Sequence, residues 1–211
     1  MGELFTSFEA SWLHFLQRDE PLEAFTDQFP ESPCLLAGWF IPLDSALWPA
    51  VEALQRCLRP VDWLRPYPVH LQHLWLGSLG WAMSWPTEAT EEWVERGREA
   101  LRNLGTFTID FPRLNCFHNA VVAEAEGDRG HLAELAHRLL PDEDLSTFLP
   151  HLAVALPTAA GNPQELREIL VPLREFNLGR QAVDNVRLGL VPLSRCDVLR
   201  PWTVPASIRL G

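Results

Sequence analysis

The sequence predicts an α+β fold: two lobes of mainly antiparallel sheet, with helices packed outside and a cleft between the lobes. Three observations carry that expectation. Short apolar runs of strand length alternate with amphipathic stretches of helical period along the 211 residues. Turn and cap residues separate them. Two of the runs are alike, Val69-His70-Leu71-Gln72-His73-Leu74-Trp75-Leu76-Gly77 and Phe148-Leu149-Pro150-His151-Leu152-Ala153-Val154-Ala155-Leu156, each with an early histidine. One comes from each half of the chain, the trace that two related lobes would leave.

The elements follow in order. Phe8, Trp12, Phe15 and Leu16 mark one face of a helix, and Pro21, Pro30 and Pro33 break up the stretch behind it. Residues 1–32 therefore read as an added helical segment that packs on the core or meets a protein partner, and 33–211 as the two-lobed domain. Leu35 to Leu43 reads as a strand. Asp44 or Ser45 caps the next helix, which shows Leu47, Val51, Leu54 and Leu58 on one side and Pro49 in its first turn. A helix from about Thr87 to Leu104 begins acidic and ends at Gly105. Thr106–Asp110 and Ala120–Ala125 read as strands, Arg129–Leu140 as a helix stopped by Pro141. Asn162-Pro163-Gln164-Glu165 sets a cap residue, a first-turn proline and an early glutamate at the start of another helix. Asn185 to Leu210 holds the closing strands.

Composition narrows the function. Hydrophobic residues at 47% and charged residues at 21% suit a globular protein, and no apolar run approaches the ~20 residues of a membrane span. The N-terminus does not read as a signal peptide, so the expected compartment is cytoplasmic. Cys34, Cys57, Cys116 and Cys196 are widely spaced, as free thiols in a reducing compartment would be. A net charge of −11 argues against broad nucleic-acid binding, which relies on clustered Lys and Arg, but leaves room for a small phosphate ester in a local pocket.

Residues i and i+2 of a strand share a face, so the two runs would set His70 beside Gln72 and His151 beside Ala153. Two imidazoles across a cleft can work as an acid and base pair near neutral pH. This arrangement resembles the 2H phosphoesterase superfamily, which includes 2′-5′ RNA ligase-like proteins and RNA 2′,3′-cyclic phosphodiesterases. Its motifs are written H-x-T-L-x-F-L-G and P-H-x-T-L. Aligned on Leu76-Gly77, the first puts His70 at the histidine, Gln72 at the hydroxyl position and Trp75 at the aromatic; the second fits as Pro150-His151-Leu152-Ala153-Val154. A second register takes His73-Leu74-Trp75 as the first motif. The resemblance covers about 33–211 and implies a pseudo-twofold fold with His70 and His151 as catalytic acid and base. It also implies hydroxyls that hold the phosphate and chemistry without metal or cofactor. Both hydroxyls are missing. Gln72 retains an amide donor, Ala153 retains none, and His118 and Arg113 are weaker candidates for substrate contacts.

The bland alternatives are specific too. A lone histidine on an apolar strand is usually a core residue, and in the first register His73 would face away from the cleft and pack under a helix. His70, His73, His118 and His151 have no spacing that converges on a metal. Trp75, Trp81 and Trp85 suit packing more than a base-stacking platform. Three functions stay open: a phosphoesterase on a 2′,3′-cyclic phosphate or related nucleotide or RNA-end ester, a degenerate module that binds such a ligand, and a structural or regulatory partner protein.

Overall fold

A computed structural model describes residues 5–29, 31–32, 34–127, 129–194 and 202–211. Cys196, Pro30 and Pro33 lie outside the described residues. The chain order is α1 (Phe8–Gln17), β1 (Cys34–Pro42), α2 (Trp48–Leu58), β2 (Leu64–Pro66), β3 (His73–Ala82), α3 (Thr87–Ala100), β4 (Phe107–Phe117), β5 (Ala120–Gly127), α4 (Arg129–Leu139), β6 (His151–Pro157), α5 (Pro163–Leu170), β7 (Gly179–Val183), β8 (Asn185–Leu193) and β9 (Thr203–Arg209). The fold is α+β, as expected.

The strands form one antiparallel sheet in the order β7-β4-β5-β6-β3-β1-β8-β9, with β2 added on β6. Its two halves meet at β3 and β6, where Leu74 pairs with Leu152 as the sole registered pair among the described residues. On either side of that junction the ladders are long, β1 with β3 and β8, and β5 with β4 and β6.

Strand alternation divides the faces. Trp39 and Ile41 of β1, Leu74 and Leu76 of β3, Leu152 and Val154 of β6, and Val186 and Leu188 of β8 all enter the main core. There they meet Val51, Leu54 and Leu58 of α2, Leu135 and Leu139 of α4, and Leu166 and Leu170 of α5. This is the half-buried pattern that antiparallel sheets support. Phe40, His73, Trp75, His151 and Ala153 alternate with these residues and belong to the opposite, open face.

Local signals explain several boundaries. Asn162 Oδ1 accepts from Gln164 N at 2.9 Å and Pro163 opens α5. Asp44 Oδ1 accepts from Ala46 N at 2.9 Å, capping a single 3₁₀ turn that leads into α2. The first histidine run departs from expectation. Val69–Leu71 is a 3₁₀ turn entered from Pro68, whose φ of −56° suits it, and β3 starts only at His73.

α1 packs along β4. Asn115 Nδ2 donates to Phe8 O at 2.8 Å, Phe8 stacks on Phe117 with centroids 6.4 Å apart, and Arg174 lies over the Trp12 ring at 4.5 Å. Arg167 Nη1 donates to the carbonyls of Phe15, Leu16 and Arg18 at 3.1, 3.2 and 2.6 Å, satisfying groups that the end of α1 leaves open. Among the described residues no helix is long and apolar enough to cross a membrane.

Gly38 ties the fold to the open face. A Cβ there would lie 2.2 Å from the Trp75 ring and 2.5 Å from the Gly77 carbonyl, at an irregularity in the β1–β3 register. Gly38→Ala should cost on the order of 1–3 kcal/mol in urea unfolding followed by circular dichroism, because both ring and backbone must move. An unchanged midpoint would mean that Trp75 is free to leave its place.

Candidate active site

The Leu74–Leu152 pair sets the geometry. In an antiparallel pair it brings His73 opposite Ala153 and Trp75 opposite His151, all on the open face. His73 and His151 are therefore diagonal neighbours, with Cβ atoms roughly 7–8 Å apart. Their surroundings match. Nδ1 of His73 lies 2.8 Å from Leu71 O, and Nδ1 of His151 lies 2.7 Å from Leu149 O, each a carbonyl two residues back. A carbonyl only accepts, so both Nδ1 atoms carry the proton and each neutral ring keeps its lone pair on Nε2.

The expected register is corrected here. His70 stands exposed in the 3₁₀ turn, not on the strand, and His73 takes the position beside His151. Gln72 is buried, its Nε2 donating to Tyr67 O at 3.1 Å, so it supplies no donor to the histidine pair. His70 and Gln72 instead border a separate polar hollow of about 340 Å³ with Asp44, Trp48, Gln181 and Arg187. The physical reason is Pro68 and the turn that follows it, which delay the strand by three residues. The signal was present in the chain. Read from His73, the run His73-Leu74-Trp75-Leu76-Gly77-Ser78-Leu79-Gly80 keeps the spacing to a second Leu-Gly. In that register Trp75, not Gln72, aligns with the first hydroxyl position of the motif, and Ala153 with the second.

The weaker candidates divide. His118 borders the cavity that contains His151. Arg113 does not; it pairs with Glu126 and lies 3.6 Å from Glu124, whose carboxylate also accepts from Arg174 at 2.6 Å. These ion pairs hold Arg113 away from the histidines, beside another cavity under α1.

Aromatic rings wall the site. Phe40, Tyr67, Trp75 and Trp202 all lie within 6 Å of the His73 ring, Trp202 closest at 4.3 Å between centroids. Phe117 meets His151 edge-on at 4.7 Å. Trp75 Nε1 donates to Ser78 Oγ at 3.3 Å, whereas Trp202 Nε1 is buried without a partner among the described residues. No motif in the sequence marks Trp202, which stands immediately before β9 and comes here through the pairing of β9 with β8. The cavity at His151 measures about 410 Å³ and is bordered by Trp75, Phe117 and His118, with Glu143 and Asp144 at its rim. Among the described residues no lysine or arginine lines it.

Dry surroundings keep both rings neutral. Desolvation lowers His73 from 6.5 to about 4, the nearby His151 adds to the shift, and the Leu71 carbonyl opposes it. His151 is lowered as well, chiefly by desolvation, against the pull of the Leu149 carbonyl.

The sheet order and the helices packed on it match the fold of LigT-like solved structures. Three solved structures show it. TT0787 of Thermus thermophilus superposes with a TM-score of 0.62 at 19% identity, covering 83% of this chain and 97% of its own. Escherichia coli LigT with 3′-AMP gives 0.62 at 21%, covering 85% and 99%. A phosphoesterase gives 0.65 at 19%, covering 84% and 99%. No family model matches the sequence, and no curated protein does. At these identities the likeness establishes the fold.

The depressed His73 has a consequence for stability. Its folded value lies below its unfolded one, so the unfolded chain binds the proton first as pH falls. Stability that is full above about 6.5 should decline toward about 4. His73→Gln should flatten that part of the curve relative to wild type, measured as melting temperature against pH. Parallel curves for the two proteins would show that His73 titrates normally.

Proposed function

We propose that the chain is a 2H-fold module that binds a small nucleotide at the histidine pair and has little turnover. The observation that carries this reading is the residue pair at the two hydroxyl positions. Trp75 and Ala153 offer the phosphate no free donor, since the Trp75 indole N–H is committed to Ser78. Removing one preorganised donor costs roughly 2.7–4 kcal/mol of transition-state stabilisation in well-studied enzymes, and two are missing here. Binding needs less. The aromatic walls suit a base, the unpaired Trp202 N–H beside His73 suits a phosphate oxygen, and LigT has been solved with 3′-AMP, ATP, NADP⁺ and phosphate.

With no lysine or arginine among the described residues of the cavity, neutralising the phosphate falls to His151, which lines it, with His73 as its diagonal neighbour. Both are neutral in the free protein at pH 7, so binding takes up protons. Calorimetry with 2′-AMP should show affinity rising as pH falls from 8 toward 5.5. It should also show heats that depend on the buffer's ionisation enthalpy. Ala153→Thr should tighten binding about tenfold, since a hydrogen bond to a charged group contributes about 1.5–3 kcal/mol. Affinity indifferent to pH, or absent, would defeat the reading.

A second reading, slow metal-independent hydrolysis of a nucleoside 2′,3′-cyclic phosphate, draws on the matched tautomers. Burial lowers both rings, and each neutral ring presents Nε2 as the atom that accepts or passes the proton. Since both rings titrate below 6.5, the rate should follow a bell whose maximum falls on the acid side of that value. It should persist in EDTA and disappear in His73→Ala and His151→Ala. A rate that survives either substitution would place the chemistry elsewhere.

A further inference from the structure

The segment between α1 and β1 crosses the open face. Leu22 bridges to Gly161, with N–H to carbonyl distances of 2.9 and 3.1 Å, and Glu23 N donates to His118 O at 3.2 Å. Asn119 Nδ2 donates to Gln28 Oε1 at 3.1 Å. Phe25 then packs against two separate apolar clusters. One holds Tyr67, Val122 and Leu156 with Ala153 against it; the other holds Phe29, Val191 and Leu193 with Trp75 and Trp202 against it. The first includes the vacant hydroxyl position of β6, and the second includes the tryptophan at the hydroxyl position of β3. His73 lies between them, among Tyr67, Trp75 and Trp202. Phe29 continues the strap onto Trp81 at 6.1 Å.

We propose that residues 22–29 are a strap that occupies the groove over the histidine pair and limits its ligands to single-nucleotide size. The cavity beside His151, about 410 Å³, remains open. A longer strand would have to follow the sheet through the space that Phe25 fills. The strap's Glu23 and Asp27 repel a polyanion as well. The size limit rests on the nucleotide reading above; the shielding of His73 does not.

Diethyl pyrocarbonate tests the shielding without any ligand. It reacts with neutral imidazole, so the low value of His73 does not protect it at pH 6, and His70, exposed and off the groove, serves as internal standard. In the full chain His73 should react at least about tenfold more slowly than His70. The double substitution Phe25→Ala and Phe29→Ala should remove most of that difference, since it takes away both rings that seat the segment on the open face. Wild type gives a second route that needs no variant. In urea below the unfolding transition, His73 reactivity should rise ahead of global unfolding, as a locally opening segment requires. Equal reactivity of His73 and His70 at the outset, or a rise only with global unfolding, would overturn the strap. In the ligand arm, wild type should bind 2′-AMP and not a dinucleotide, and the double variant should accept both. Equal dinucleotide binding by wild type would overturn the size limit. Failure of 2′-AMP to bind would strike the nucleotide reading and leave the reactivity result to decide the strap.

Discussion

One ladder pair, Leu74 with Leu152, holds the site together. Each leucine is buried in the main core, at 1% and 0% exposure. Since burying a leucine is worth about 1.5–3 kcal/mol, the register at this rung is fixed by the core rather than by anything on the open face. A slip of one residue in either strand would put its imidazole into the core and its leucine into the groove. The functional patch inherits its precision from hydrophobic packing on the other side of the same backbone.

That placement has an electrostatic cost. Four aromatic rings crowd the half-buried His73 and limit the water that would solvate an imidazolium, and the cavity that His151 borders has no lysine or arginine among its described lining residues. The backbone carbonyls of Leu71 and Leu149 pull both values upward but are outweighed by desolvation. The pair is thus oriented like a catalytic pair and charged like a core pair. Trp75 embodies the same compromise: where a hydroxyl would be small, polar and free, the indole is large, apolar and satisfied by Ser78.

Much of this was legible in the sequence. The helix starts at Asn162-Pro163 and Thr87 and the order of strands and helices are local patterns that the structure follows, and the strand expected over Leu35 to Leu43 spans Cys34–Pro42. The first motif was legible only in part. Two Leu-Gly pairs, Leu76-Gly77 and Leu79-Gly80, offered two registers, and the nearer one fitted an apolar run that begins at Val69 with an early histidine. Pro68 turned that stretch into a 3₁₀ turn and moved the strand to His73. Trp202 and Phe25 could not be found by pattern at all. Each reaches the site through contacts that only the closed sheet creates, and nothing in the spacing around either residue records them.

The N-terminal crossing is fastened at both ends. Arg167 grips the last carbonyls of α1 on one side, and the chain enters β1 on the other, so a displaced strap remains tied within reach of the groove. A competitor therefore faces an intramolecular occupant, whose effective concentration for a short tether is on the order of millimolar. Whatever enters the full groove must either be abundant on that scale or bind much more tightly than two phenyl rings do. The N-terminal segment thus sets an affinity threshold in addition to any selection by size.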